Sequence, residues 1–216
     1  MEKFEIEVLE YLKKGKFLDK LVFLGGTMLR LCYGLNRYSV DLDFWLIKRI
    51  NISEFFDKLK KYLEKKYTIK DSANKFFTIL FEISSKNYPK VLKIEIRKDI
   101  KKIKYEKTIA FSPYSNIQVL VNSLSLNDML KFKIESFLKR GEIRDCFDIE
   151  FLLRKGVELK IEKTKGKKFL KKIENLSLND YKVKLGSIVE KDVRQYYIKR
   201  NFEFLKSEFK RLIFNL

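Results

Sequence analysis

Apolar positions in the first part of the chain switch between two periods. Residues 1–14 carry Phe4, Val8, Tyr11 and Leu12 at helical spacing and stop at Gly15, which predicts an amphipathic helix. Leu21-Val22-Phe23-Leu24 is then a continuous apolar run, as expected of a strand buried on both faces. Gly25 and Gly26 end the run. Thr27 is placed to cap a following helix, whose apolar positions Met28, Leu31, Cys32 and Leu35 recur at helical spacing, with Gly34 where a C-terminal cap falls. From Val40 to Leu46 the period becomes two. Val40, Leu42, Phe44 and Leu46 share one face of a strand, and Asp41 and Asp43 share the other with Cα atoms roughly 6.5 Å apart.

Ser53 can cap a third helix, with Phe55, Phe56, Leu59, Tyr62 and Leu63 on one side and lysines on the other. The β-formers of Lys75–Ile83 and the alternation of Val91–Arg97 predict a hairpin, with SSKNYP as its turn. On its second strand Lys93, Glu95 and Arg97 share a face. Residues 98–107 read as a basic, exposed segment and Ile117–Val121 as a short strand or linker. A boundary near Asn122 divides the chain into residues 1–122 and a helical part, 123–216. There, Ser125 opens a helix to about Lys139 whose apolar stripe, Leu126, Met129, Leu130, Ile134 and Phe137, contains Lys133 near its middle. An amine aimed inward needs a partner, and Asp145 or Asp148 can serve purely for structure. Arg144 and Asp148 form an i, i+4 pair on the next helix, with Asp145 on an adjoining face. Three further helices are expected, around Leu170–Leu176, Val189–Tyr197 and Phe202–Leu212.

Composition narrows the chemistry. Histidine is absent, which removes Ser-His hydrolases, His-ligated zinc and any imidazole base, and leaves oxygen-ligand metals. Two cysteines, Cys32 and Cys146, each in an apolar helical pattern, read as buried free thiols. No apolar stretch is long enough to span a membrane, and the acidic start is wrong for a secretion signal, so a cytoplasmic protein without membrane contact is expected. The formal charge of +19, from 48 Lys and Arg against 29 Asp and Glu, favours a polyanionic partner, above all nucleic acid, although lysine-rich composition also accompanies thermophily. Asp41 and Asp43 repel each other at this spacing. The pair makes most sense with a cation between them, Mg²⁺ foremost. The glycine turn before a helix offers backbone N–H groups and the positive end of the helix dipole to a phosphate.

The order GGT (Gly25, Gly26, Thr27), then Tyr33, Gly34, Arg37, Ser39 and DLD-Phe (Asp41 to Phe44), followed by Lys133 and Arg144-Asp145-Cys146-Phe147-Asp148, closely resembles nucleotidyltransferases of the AbiEii/AbiGii type. These are the toxin half of type IV toxin–antitoxin and abortive-infection systems. The resemblance spans roughly residues 18 to 154. It implies an α+β fold: an N-terminal mixed sheet of the polymerase-beta-like nucleotidyltransferase kind with flanking helices, then a C-terminal helical bundle.

The resemblance also implies metal-dependent transfer of NMP from an NTP to an RNA, in particular tRNA, or to a protein hydroxyl. Asp41, Asp43, Lys133 and Asp145 are then catalytic. Asp41, Asp43 and Glu95 hold Mg²⁺ or Mn²⁺, with a plain salt bridge from Glu95 to a neighbouring lysine as the other reading of that residue, and Gly25, Gly26, Thr27, Arg37 and Lys133 bind the nucleotide. Arg30 and Arg97 are further candidates for phosphate contact. A cognate antitoxin is the implied protein partner. Two other readings remain at this point, a non-catalytic nucleotide- or RNA-binding module of the same fold and a DxD glycosyltransferase. Residues 154–216, beyond the family motifs, hold about half the excess positive charge, and Lys167, Lys168, Lys171 and Lys172 are a hypothetical RNA-docking patch.

Overall fold

The computed structural model describes residues 1–214. They form two compact units, residues 1–34 with 39–125, and residues 35–38 with 126 onward. Asn122, where the sequence places the boundary, lies inside a strand of the first unit, and the division falls after Ser125.

The first unit contains α1 (Glu2–Lys14), β1 (Leu21–Leu24), α2 (Gly25–Tyr33), β2 (Asp41–Leu46), α3 (Ile52–Glu64) and β3 (Thr68–Asn74). It continues with β4 (Thr78–Ser85), β5 (Tyr88–Arg97), β6 (Tyr105–Ala110) and β7 (Val119–Leu124). The seven strands make one mixed sheet in the order β3-β4-β5-β2-β1-β7-β6. β2 runs parallel to β5 and antiparallel to β1, and β1 runs parallel to β7.

The alternation in β2 sets what each face does. Leu42, Phe44 and Leu46 are buried, as are Ile94 and Ile96 beside them on β5 and Ile79 and Phe81 on β4. This apolar face takes α1 through Phe4, whose ring stacks on Tyr88 at 4.6 Å, and α3 through Phe56, stacked on Phe81 at 5.1 Å. The opposite face carries Asp41, Asp43, Lys93, Glu95 and Arg97, all half-buried.

Several expectations shift by a few residues for local reasons. Asn51, not Ser53, caps α3, its Oδ1 accepting from the Glu54 amide at 3.2 Å. The turn between β4 and β5 is only Lys86-Asn87, because pairing continues to Ser85 and Tyr88. Lys75-Phe76-Phe77 is itself a turn, since β3 pairs antiparallel with β4 and their link falls there. Neither β3 nor β6 is expected from the sequence: both are edge strands, polar along much of their length, and lack the alternation that marks β2.

The second unit is helical: α4 (Leu126–Arg140), α5 (Ile143–Arg154), α6 (Lys163–Glu174), α7 (Lys191–Arg200) and α8 (Glu203–Phe214), with a π-helical turn at Asp180–Leu185. Phe169 of α6 joins Phe137 of α4 at 4.8 Å and stacks on Phe209 of α8 at 3.9 Å, which forms the centre of this unit's core. Among the described residues no helix is long and apolar enough to cross a membrane.

Candidate active site

β2 presents its two aspartates beside the start of α2. Asp43 is register-matched to Leu24 on one side and to Glu95 on the other, so the β1–α2 turn and the β5 carboxylate flank it. Gly25 opens α2 at φ +87, a conformation L side chains rarely adopt, and a Cβ placed on it would lie 2.6 Å from Asp43 Oδ2. Glycine is thus required here twice, by the backbone and by the carboxylate lying over it. Gly26 and Thr27 follow in the first turn, both buried.

Thr27 is not the cap of α2 but its third residue, and its hydroxyl donates to Ser39 Oγ at 3.0 Å. Gly34 does end the helix, in the left-handed region at φ +80.

Asp41 and Asp43 fit a divalent cation by the chemistry of their donors, since Mg²⁺ is commonly held by one or two carboxylates with water and phosphate oxygens completing the shell. Glu95 has other partners. Its carboxylate is 3.0 Å from Lys93 Nζ and 3.9 Å from Arg97 Nε. Among the described residues no group of three acidic side chains converges as a metal cluster. Lys93 reports the field of this face. Partial burial works against its charge, yet the hydrogen bond to Glu95 and the negative charges of Glu95, Asp41 and Asp43 hold its pKa above the usual lysine value.

The candidate arginines separate clearly. Arg30 is engaged by two acids of α1: it pairs with Glu5 and lies 3.4 Å from Glu2. Burial pushes Glu5 up to about 7, against the pull of Arg30. Arg97 stays on the aspartate face, register-matched to Trp45, with its side chain 44% exposed.

Arg37 belongs to the second unit, with residues 35–38. It is buried, and its fork grips Asp148, Nε to Oδ1 at 2.5 Å and Nη2 to Oδ2 at 2.7 Å. Both its edges are thereby occupied, because Nη1 donates to the Tyr38 carbonyl at 2.9 Å.

Lys133 enters the same network. Its Nζ lies 2.6 Å from Asp148 Oδ2 and 3.3 Å from Asp145 Oδ1, and the side chain is 5% exposed. Arg140 completes the set with two bonds of 2.8 Å to Asp145. Three cations therefore surround two fully buried carboxylates. Burial favours the neutral acid, but the charges of Lys133 and Arg37 outweigh it and hold Asp148 below its usual value. Burial likewise works against Arg37, whose pKa Asp148 nonetheless raises.

The i, i+4 pairing of Arg144 with Asp148 is replaced by these contacts, and Arg144 is exposed. Arg140 carried no sequence signal, because it precedes Asp145 by five residues across the α4–α5 link rather than by one helical turn. Lys167, Lys168 and Lys171 are exposed on α6, whereas Lys172 donates to the Leu138 carbonyl at 2.7 Å.

Residues 7–210 match the family described as Nucleotidyl transferase AbiEii toxin, Type IV TA system. Among solved structures the chain resembles JHP933 of Helicobacter pylori, with 21% identity over 97% of this chain and 94% of that one and a TM-score of 0.59. It also resembles MenT4, a nucleotidyltransferase toxin of Mycobacterium tuberculosis, with 15% identity over 97% and 85% of the two chains and a TM-score of 0.58. No curated protein matches.

Proposed function

Because this chain belongs to the AbiEii family of nucleotidyl transferase toxins of type IV toxin–antitoxin systems, we propose that it transfers NMP from an NTP to a hydroxyl of RNA, with tRNA the first acceptor to test. The observation that carries the reading is the pairing of two same-face aspartates with a glycine whose missing side chain lets the Asp43 carboxylate lie over the first turn of a helix.

In this reading the acceptor oxygen forms a bond to the α-phosphorus as the bond to the bridging oxygen of pyrophosphate breaks, and pyrophosphate leaves. A divalent cation held by Asp41 and Asp43 would neutralise charge on the triphosphate. The N–H groups of Gly25 and Gly26, at the positive end of α2, receive phosphate oxygens. Ser39, half-buried and already accepting from Thr27, takes the nucleotide contact that the family resemblance implies for Thr27. Arg97 is the candidate arginine left at this face for phosphate. With no histidine in the chain, the acceptor proton passes to a carboxylate or to solvent. The +19 charge supports RNA over protein as acceptor, and the family implies a cognate antitoxin as regulator.

The test is label transfer from each α-labelled NTP in Mg²⁺ to total RNA and to protein. Labelled RNA that disappears with Asp41→Ala supports the proposal, label on protein alone moves the acceptor, and transfer to neither removes the activity. Lys133 is tested separately, because two carboxylates already hold it: a folded Lys133→Ala that transfers label at the wild-type rate takes it out of the reaction.

A further inference from the structure

The β3–β4 turn carries two adjacent phenylalanines in water. Phe76 is 86% exposed and Phe77 71%. Their rings meet edge to face, with centroids 4.6 Å apart and planes at 84°, so each ring supports the other while keeping open surface. The tip is not loose. The Lys75 amide donates to the Thr78 carbonyl at 2.8 Å, the Lys98 amide donates to the Phe77 carbonyl at 3.0 Å, and the Lys98 side chain bonds the Lys75 carbonyl. Exposed aromatic surface held this firmly loses little conformational freedom when something binds to it.

The surroundings choose the occupant. Lys75 and Lys98 are bonded within the tip, and Arg97, Lys101 and Lys102 adjoin Lys98 in sequence, against two acids, Glu95 at 3.9 Å from Arg97 and Asp99 at 3.7 Å from Lys101. Lys101 lies over the Trp45 ring at 4.7 Å, and Arg97 is register-matched to both Thr78 and Trp45. An apolar protein surface has no use for that excess of cations. A polyanion with flat, unpaired aromatic faces uses both the rings and the charge. The tip is also close to the aspartates along the sheet. Phe77 is three residues along and two strands across from Asp43, roughly 14 Å by the spacings of a sheet.

We propose that Phe76 and Phe77 are a stacking platform for unpaired nucleotides of a single-stranded RNA, with the flanking lysines on its phosphates. The ligand class rests on the RNA-acceptor reading above, while the surface itself rests on exposure, rigidity and charge.

The experiment is fluorescence anisotropy of a labelled single-stranded oligoribonucleotide, without NTP or metal, on the full chain. Phe76→Ala/Phe77→Ala should weaken binding by about tenfold or more, as loss of base stacking does, with the slope against log salt unchanged and the thermal midpoint kept. Phe76→Trp/Phe77→Trp should retain affinity and show indole quenching beyond that of Trp45. Lys101→Ala/Lys102→Ala should instead make the salt slope shallower. A double-alanine protein that binds as tightly as the wild type overturns the platform, as does a wild type that binds no single strand at low salt. Asp41→Ala separates the two proposals: it should lose transfer yet bind the oligonucleotide fully, so failure of the chemistry and failure of the surface are read independently.

Discussion

Gly25 concentrates two constraints in one residue. Its φ of +87 is costly for any side chain, and the space a methyl group would need is held by Asp43 Oδ2. Gly25→Ala should therefore lower stability by about 1–3 kcal/mol through strain, seen as a shifted urea midpoint. If Asp43 acts as proposed, the displaced carboxylate should also cut label transfer by on the order of 10²-fold. Gly34 is the control: it too has positive φ, at +80, but nothing lies within 4 Å of its would-be Cβ. Gly34→Ala should cost stability alone, with transfer retained in the folded fraction. A Gly25→Ala protein with wild-type transfer would dissociate the glycine from the aspartate.

Between elements, the network of α4, α5 and residues 35–38 gathers most of the buried charged side chains among the described residues, Arg37, Lys133, Asp145 and Asp148. Removing one carboxylate strands its cations: Asp148→Asn leaves Arg37 and Lys133 underneutralised and should cost roughly 3–5 kcal/mol in urea denaturation. The pH sign follows from the depressed pKa of Asp148. Such a group contributes stability that is fully present above its unfolded value of 3.8 and is lost as pH falls through the lower folded value. Wild-type stability should thus drop steeply below about pH 4, and the Asn variant, already lacking that contribution, should show a shallower acid limb. Equal acid limbs in the two proteins would contradict this account. The expectation of an inward Lys133 came from helical phase alone, since a position on the apolar stripe of α4 must be buried whatever it pairs with. Asp145 and Asp148 on the next helix were legible as its partners, but Arg37 and Arg140 as further members of the network were not. Arg37 lies 111 residues from Asp148 in the chain, and no periodicity relates a loop before β2 to a helix beyond the sheet.

For the whole molecule, the +19 charge acts at long range and is screened by salt. If RNA is the acceptor, raising salt from about 50 to 200 mM should raise the KM for RNA by tenfold or more, while the KM for NTP changes far less. Equal sensitivity of the two would argue against a polyanionic acceptor.

Residue order alone determined the buried strand at Leu21–Leu24, the aspartate and apolar faces of β2, the β4–β5 hairpin and the inward phase of Lys133, because side-chain direction within one element is set by a local period. Tertiary structure alone decided the edge strands β3 and β6, the exposure of Phe76 and Phe77 at a turn, the diversion of Thr27 to Ser39, and the ion partners of Arg30, Arg37 and Arg140. A charge or hydroxyl takes whichever partner folding brings within about 3 Å, and that distance is not a property of any one segment.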